Sequence, residues 1–176
     1  MMIGIRRFVG MRSPATTFVR RVQTYISNDQ VYVHDLGNDR YGYLFSADPS
    51  AMLMGTKVGG TPHAIDPEQF EENKQFVDFL HLMFKDHITD DFAFICEAGT
   101  QADSFMPIWD FREVPRFSRT PNPDLVFGYV MVDKEGKMVP KSYDRNHMYR
   151  VCNKDGLTKL SDHMHQAVKE ALEAQK

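Results

Sequence analysis

The sequence predicts an α+β fold: an antiparallel sheet built from hairpins, two main helices packed on one face of it, and an N-terminal amphipathic segment ahead of both. Three observations carry that prediction. Residues 30–45, QVYVHDLGNDRYGYLF, alternate in polarity on either side of Gly37-Asn38-Asp39, as a hairpin does. Residues 66–88 place apolar side chains at helical spacing. The order hairpin then helix occurs twice, whereas an alternating parallel sheet would need more crossover helices than the chain supplies.

In chain order, residues 1–28 come first. A helix from Ser13-Pro14, with Ser as cap and Pro in the first turn, would align Ala15, Phe18, Val19, Val22, Tyr25 and Ile26. Arg20 and Arg21 fall off that stripe. The hairpin at 30–45 ends at the break Asp48-Pro49-Ser50, and residues 51–65 read as a short strand running into a Gly-rich loop. Asp66 and Pro67 open the first long helix, with Glu68, Glu71 and Glu72 near its positive end. Phe76, Phe79, Leu80, Met83 and Phe84 form its buried stripe, and Thr89-Asp90-Asp91 ends it. FAFICEA, 92–98, alternates Phe92, Phe94 and Cys96 and reads as a strand in which Cys96 is a core residue. SFMPIWD reads as another strand, paired with it across the loop 99–103. Residues 110–124 hold three prolines and three arginines and form a long irregular loop, a feature usually tied to function in compact domains. Residues 125–143 make a second hairpin with its turn at 133–136, NHMYRVCN a further strand, and 154–156 a turn. The last 20 residues form the closing helix, with Leu160, Met164, Ala167, Val168, Ala171 and Leu172 on one face.

A length of 176 residues suits one domain, 29–176, plus the segment 1–28. The hydrophobic share of 42% belongs to a globular chain, not a disordered one. No apolar run approaches the ~18–20 residues that span a bilayer. Charge is divided unevenly. Residues 1–28 hold five arginines and no carboxylate, while 29–176 hold 16 basic and 24 acidic residues, a formal charge of −8. Arg-rich, acid-poor and amphipathic, the first segment has the character of a mitochondrial targeting peptide, with a processing point expected between Val22 and Ser27. The same amphipathic surface suits peripheral contact with an anionic membrane or docking on a partner.

The motifs for chemistry are weak. GTKVGGT, 55–61, has the glycines and lysine of a phosphate cradle but not the P-loop spacing. His163 and His165 diverge on a helix, as do His81 and His87, and His34 and His63 can meet only through folding. Asp86, Asp90 and Asp91 read as a solvated helix end rather than a cation site. No nucleophile motif of the GxSxG type occurs, and Cys96 and Cys152 are too far apart in sequence to form a CxxC. No catalytic residue, cofactor or metal is therefore expected. In the loop, Phe111, Arg112, Arg116, Phe117 and Arg119 interleave aromatic and cationic side chains as a protein-docking arm would. With Arg20 and Arg21 these are the expected partner-binding residues. Nucleic acid is not expected as a partner, because a body of −8 opposes phosphate contact.

The combination of an Arg-rich leader with one compact domain lacking a catalytic signature looks like the accessory subunits of mitochondrial inner-membrane complexes, and no residue roles carry over from that likeness. The expected function is a non-catalytic accessory subunit of a respiratory chain complex or ATP synthase, on the matrix side and bound through other protein subunits. A mitochondrial ribosomal subunit and a small matrix enzyme built around His34, His63 and the loop 55–60 are the alternatives.

Overall fold

The computed structural model describes residues 22–116 and 119–174. Its larger sheet has five antiparallel strands in sequence order, β1 Val22–Thr24, β2 Tyr32–Gly37, β3 Arg40–Leu44, β4 Gly55–Val58 and β5 Phe70–Glu72. Helices α1, Lys74–His87, and α2, Phe92–Ala98, follow. A second sheet, ordered β6-β7-β8, contains β6 Ser104–Trp109, β7 Val126–Val132 and β8 Asp144–Arg145. A small hairpin of β9, Cys152–Asn153, and β10, Gly156–Leu157, precedes the closing helix α3, Asp162–Ala174. The class is α+β, with the large sheet built from hairpins.

Local chemistry explains the first hairpin. Asn38 and Asp39 adopt φ of 52° and 60° between the paired residues Gly37 and Arg40, the left-handed pair that a two-residue turn needs to match strand twist. Asn and Asp tolerate that region better than other side chains do. Helix α1 joins the two sheets. Its Phe76 ring lies 5.8 Å from Phe45 beyond β3, and its Phe84 ring lies 4.4 Å from Phe127 on β7. Helix α3 packs beside α1, with His165 edge-on to Phe45 at 5.4 Å. Phe76, Leu80, Met83 and Phe84 are buried as the helical spacing requires, and so are Met164, Val168 and Leu172; Leu160, ahead of α3, is buried as well.

Several expectations are corrected. The first long helix begins at Lys74, not near Asp66. Asp66 instead caps a 3-10 turn, Pro67–Gln69, by accepting from Glu68 N at 3.0 Å. Residues 70–72 are then taken by the sheet, Lys57 pairing with Phe70 and Gly55 with Glu72. Gly55 permits this approach, since a Cβ there would sit 2.4 Å from the Phe70 ring. The helix is capped by Asn73, which accepts from Gln75 N at 3.0 Å.

FAFICEA is a helix, not a strand. Asp91 caps it by accepting from Ala93 N at 3.0 Å, Phe94 and Ala98 point inward four residues apart, and Cys96 is exposed. β6 consequently pairs with β7, not with that segment. β7 returns toward residue 138 only through the bridge Val132–Met138, and its second strand partner is β8. Only Cys152–Asn153 of NHMYRVCN is a strand, and α3 starts after β10 rather than at Leu157.

At the N-terminus, Val22–Thr24 is extended and pairs with β2, so the expected helix does not include it. Tyr25 is buried against Tyr43, and the buried Asn28 side chain donates to the carbonyl of Thr158 at 2.8 Å. A cut between Val22 and Ser27 would remove part or all of that strand, and one after Tyr25 would remove that ring as well. The rest of the expected N-terminal helix lies outside the described residues.

Candidate functional site: a groove beside a buried ionic knot

The side chains proposed for small-molecule chemistry are engaged in structural contacts. Lys57 is buried, and its ammonium donates to the carbonyls of Thr61, at 2.9 Å, and Ala64. It fastens the loop that a phosphate would have to occupy. His34 is buried on β2 and donates through Nε2 to the carbonyl of Ser46 at 3.3 Å. His63 stacks on Tyr25, accepts from Ile26 N through Nδ1 and meets Gln23 through Nε2. The two histidines thus serve different contacts. Asp91 is buried as the cap of α2 and accepts from Ser161 Oγ, which in turn accepts from Met164 N at 3.1 Å. One carboxylate therefore ties together the starts of α2 and α3. Burial pushes the Cys152 thiol up to about 11, which keeps it protonated and a poor nucleophile. Among the described residues, no three His, Cys, Asp or Glu side chains are grouped to hold a metal ion, and no helix is long and apolar enough to cross a membrane.

The loop expected to be a docking arm divides into two parts. Its ends are closed by Asp110 N donating to Leu125 O at 2.7 Å, the geometry of a compact loop packed against its own domain. Its first residues are internal. Asp110 is fully buried and forms an ion pair of 2.8 Å with Arg112, whose side chain is only 5% exposed. The Arg112 guanidinium also donates to Asn153 Oδ1 at 2.8 Å and to the carbonyl of Gly156 at 2.5 Å. Tyr149 and Thr158 hydroxyls complete the knot, 2.6 and 2.9 Å from Asp110 Oδ2. Burial beside Asp110 holds the Tyr149 phenol far above its ordinary range, so it remains a neutral donor. Arg112 therefore fixes the loop to β9 and β10. Phe111 is half-buried, edge-on to Phe94 of α2 at 6.0 Å.

The second part of the loop faces outward. Arg116 and Arg119 are exposed, and neither guanidinium has an ion-pair partner among the described residues. They stand over a groove of about 450 Å³ whose walls include Pro107 and Trp109 of β6, Glu97 of α2 and Pro115 of the loop. Trp109 is only 9% exposed, its ring packs edge-on to Phe94 at 4.9 Å, and its buried Nε1 has no hydrogen-bond partner among the described residues. Phe117, Arg20 and Arg21, the remaining expected docking residues, lie outside the described residues.

Beside the groove is a feature that the sequence reading did not single out. Phe105, Tyr129 and Met131 are 64%, 43% and 42% exposed on the second sheet. Phe105 is paired directly with Met131, and Tyr129 with Pro107, so the three large side chains are neighbours on one outward face that runs into the groove at Pro107. The available signal was two-residue periodicity. Val126, Phe127, Val130 and Val132 are inside and Tyr129 and Met131 outside, but an all-apolar strand hides which set faces solvent. Comparison with family models, curated proteins and solved structures finds no match for this chain.

Proposed function

We propose that the protein is a non-catalytic accessory subunit of a mitochondrial inner-membrane energy-converting complex, a respiratory chain complex or ATP synthase, attached through protein contacts on the matrix side. The observation that carries the docking part of this reading is the continuous outward surface of Phe105, Tyr129 and Met131 leading into the groove under Arg116 and Arg119. Large apolar side chains contiguous on a solvent-facing sheet mark an interaction site, and aromatic, Met and Arg residues are those that interfaces favour. The engagement of Lys57, His34, Asp91 and Asp110 in internal contacts supports a structural rather than a catalytic role. The mitochondrial part rests on the five arginines and absent carboxylates of residues 1–28.

Native fractionation of mitochondria followed by mass spectrometry tests the reading. Comigration with an inner-membrane complex is the expected result. Comigration with ribosomal particles, or a free monomer throughout, overturns it. Deleting residues 110–124 would be a poor test of docking, because it also removes Asp110 and Arg112 from the interior. Substitution on the outward face avoids that confusion.

A further inference from the structure

The groove bounded by α2, β6 and the loop has a chemistry of its own. Its rim carries two guanidiniums with no ion-pair partner among the described residues, and its wall includes Trp109. The one carboxylate in its lining, Glu97, already accepts from the Gln101 amide at 2.7 Å. The lining also holds Pro107, Pro115 and Pro121 together with the polar Thr100, Gln101 and Thr120, a mixture that suits an extended chain. A molecule suited to this groove brings carboxylates for the rim and small side chains for the walls.

We propose that this groove binds an extended acidic segment of a partner protein, with its carboxylates on Arg116 and Arg119 and its chain along the wall that includes Pro107 and Trp109. The inference rests on the docking reading above and specifies the partner's chemistry. A peptide suits the site better than a nucleic acid. Two cations match a few carboxylates, whereas a continuous phosphate chain would also meet the −8 body. The arginines present planar forks suited to carboxylates.

Trp109 is the single tryptophan of the chain, so its fluorescence and its indole N–H resonance report on this groove alone. The full-length protein is titrated with a capped, alternating Glu-Ala decapeptide, and in parallel with its Lys-Ala counterpart and with oligouridylate. The Glu-Ala peptide is expected to shift the indole resonance saturably and the Lys-Ala peptide to leave it in place. Raising salt from about 0.1 to about 1 M shortens the screening length from ~10 to ~3 Å and is expected to weaken binding. Arg116→Glu with Arg119→Glu should lower affinity about tenfold or more, with the milder pair Arg116→Gln and Arg119→Gln as a second variant and circular dichroism as the check on folding.

The inference is overturned by an unmoved indole resonance at saturating Glu-Ala peptide, by equal response to both peptides, by tighter binding of oligouridylate, or by undiminished affinity in the folded arginine variants. Native fractionation separates this inference from the reading it rests on. A charge-reversed variant that still comigrates with the complex refutes the groove and leaves the accessory role standing. A wild-type protein that binds the acidic peptide but comigrates with nothing refutes the accessory role and leaves the groove.

Discussion

At the residue scale, the buried carboxylate Asp110 is the clearest dependency in the molecule. It accepts from the main-chain N–H groups of Arg112 and Lys159 at 2.9 and 3.0 Å, from two hydroxyls, and from the Arg112 guanidinium. Asp110→Ala would leave that guanidinium inside without its counter-charge. The expected loss is about 3–5 kcal/mol in urea unfolding, the cost of an uncompensated buried charge. His81 makes a second residue-scale prediction. It is 6% exposed and donates through Nδ1 to the Tyr143 hydroxyl at 2.8 Å, because that hydroxyl already donates to the carbonyl of Phe127 at 3.0 Å. Burial, with Arg145 nearby, pushes its pKa down from 6.5 to about 4. The unfolded chain then binds the proton first as pH falls. The stability from neutral His81 is complete above pH 6.5, declines between 6.5 and about 4, and has no further slope below that. His165, also lowered by burial, acts in the same direction. His81→Phe should flatten the acid limb of a denaturation-versus-pH series over that window. An unchanged limb would show that the imidazole is not held neutral.

At the element scale, α2 separates the two ways of reading an apolar run. Phe94 is 1% exposed and packs on Trp109 and Phe111, whereas Phe92 is 75% exposed. Phe94→Ala should cost about 3–5 kcal/mol in chemical denaturation, while Phe92→Ala should stay within about 0.5 kcal/mol. Comparable losses at the two positions would favour a strand with both rings on one face. The hairpin at 37–40 was legible because its turn is decided by local backbone chemistry, and α1 because fourteen residues sample the helical period several times. α2 was not legible because seven residues fit period two and period 3.6 about equally well. β5 was hidden for another reason. Residues 70–72 follow a valid cap and first turn, and only pairing with the distant β4 takes them out of the helix. Arg112 was likewise read as a surface cation because its partners Asn153 and Gly156 lie 41 and 44 residues away.

For the whole molecule, the surface is specialised by place rather than by composition. An acidic body carries an exposed apolar face beside two arginines that have no ion-pair partner among the described residues, joined through β6. Arg116 and Arg119, singled out in the sequence as docking residues, are exposed. The sequence could not point to Phe105, Tyr129 and Met131, because in a linear pattern they resemble their buried neighbours. If this face is where the protein docks, it should be separable from folding. Phe105→Ser combined with Met131→Ser removes one cross-strand pair that contributes no more than about 1 kcal/mol, so the variant should unfold close to the wild type. It should nevertheless leave the inner-membrane assembly and migrate as a free monomer on native gels, because desolvated aromatic anchors dominate interface energetics. Leu82→Ser is the matched control, since Leu82 is 55% exposed but belongs to α1. Retained comigration of the double variant would place docking on another surface. Release of the Leu82 variant as well would mean that general surface hydrophobicity, not this face, holds the subunit.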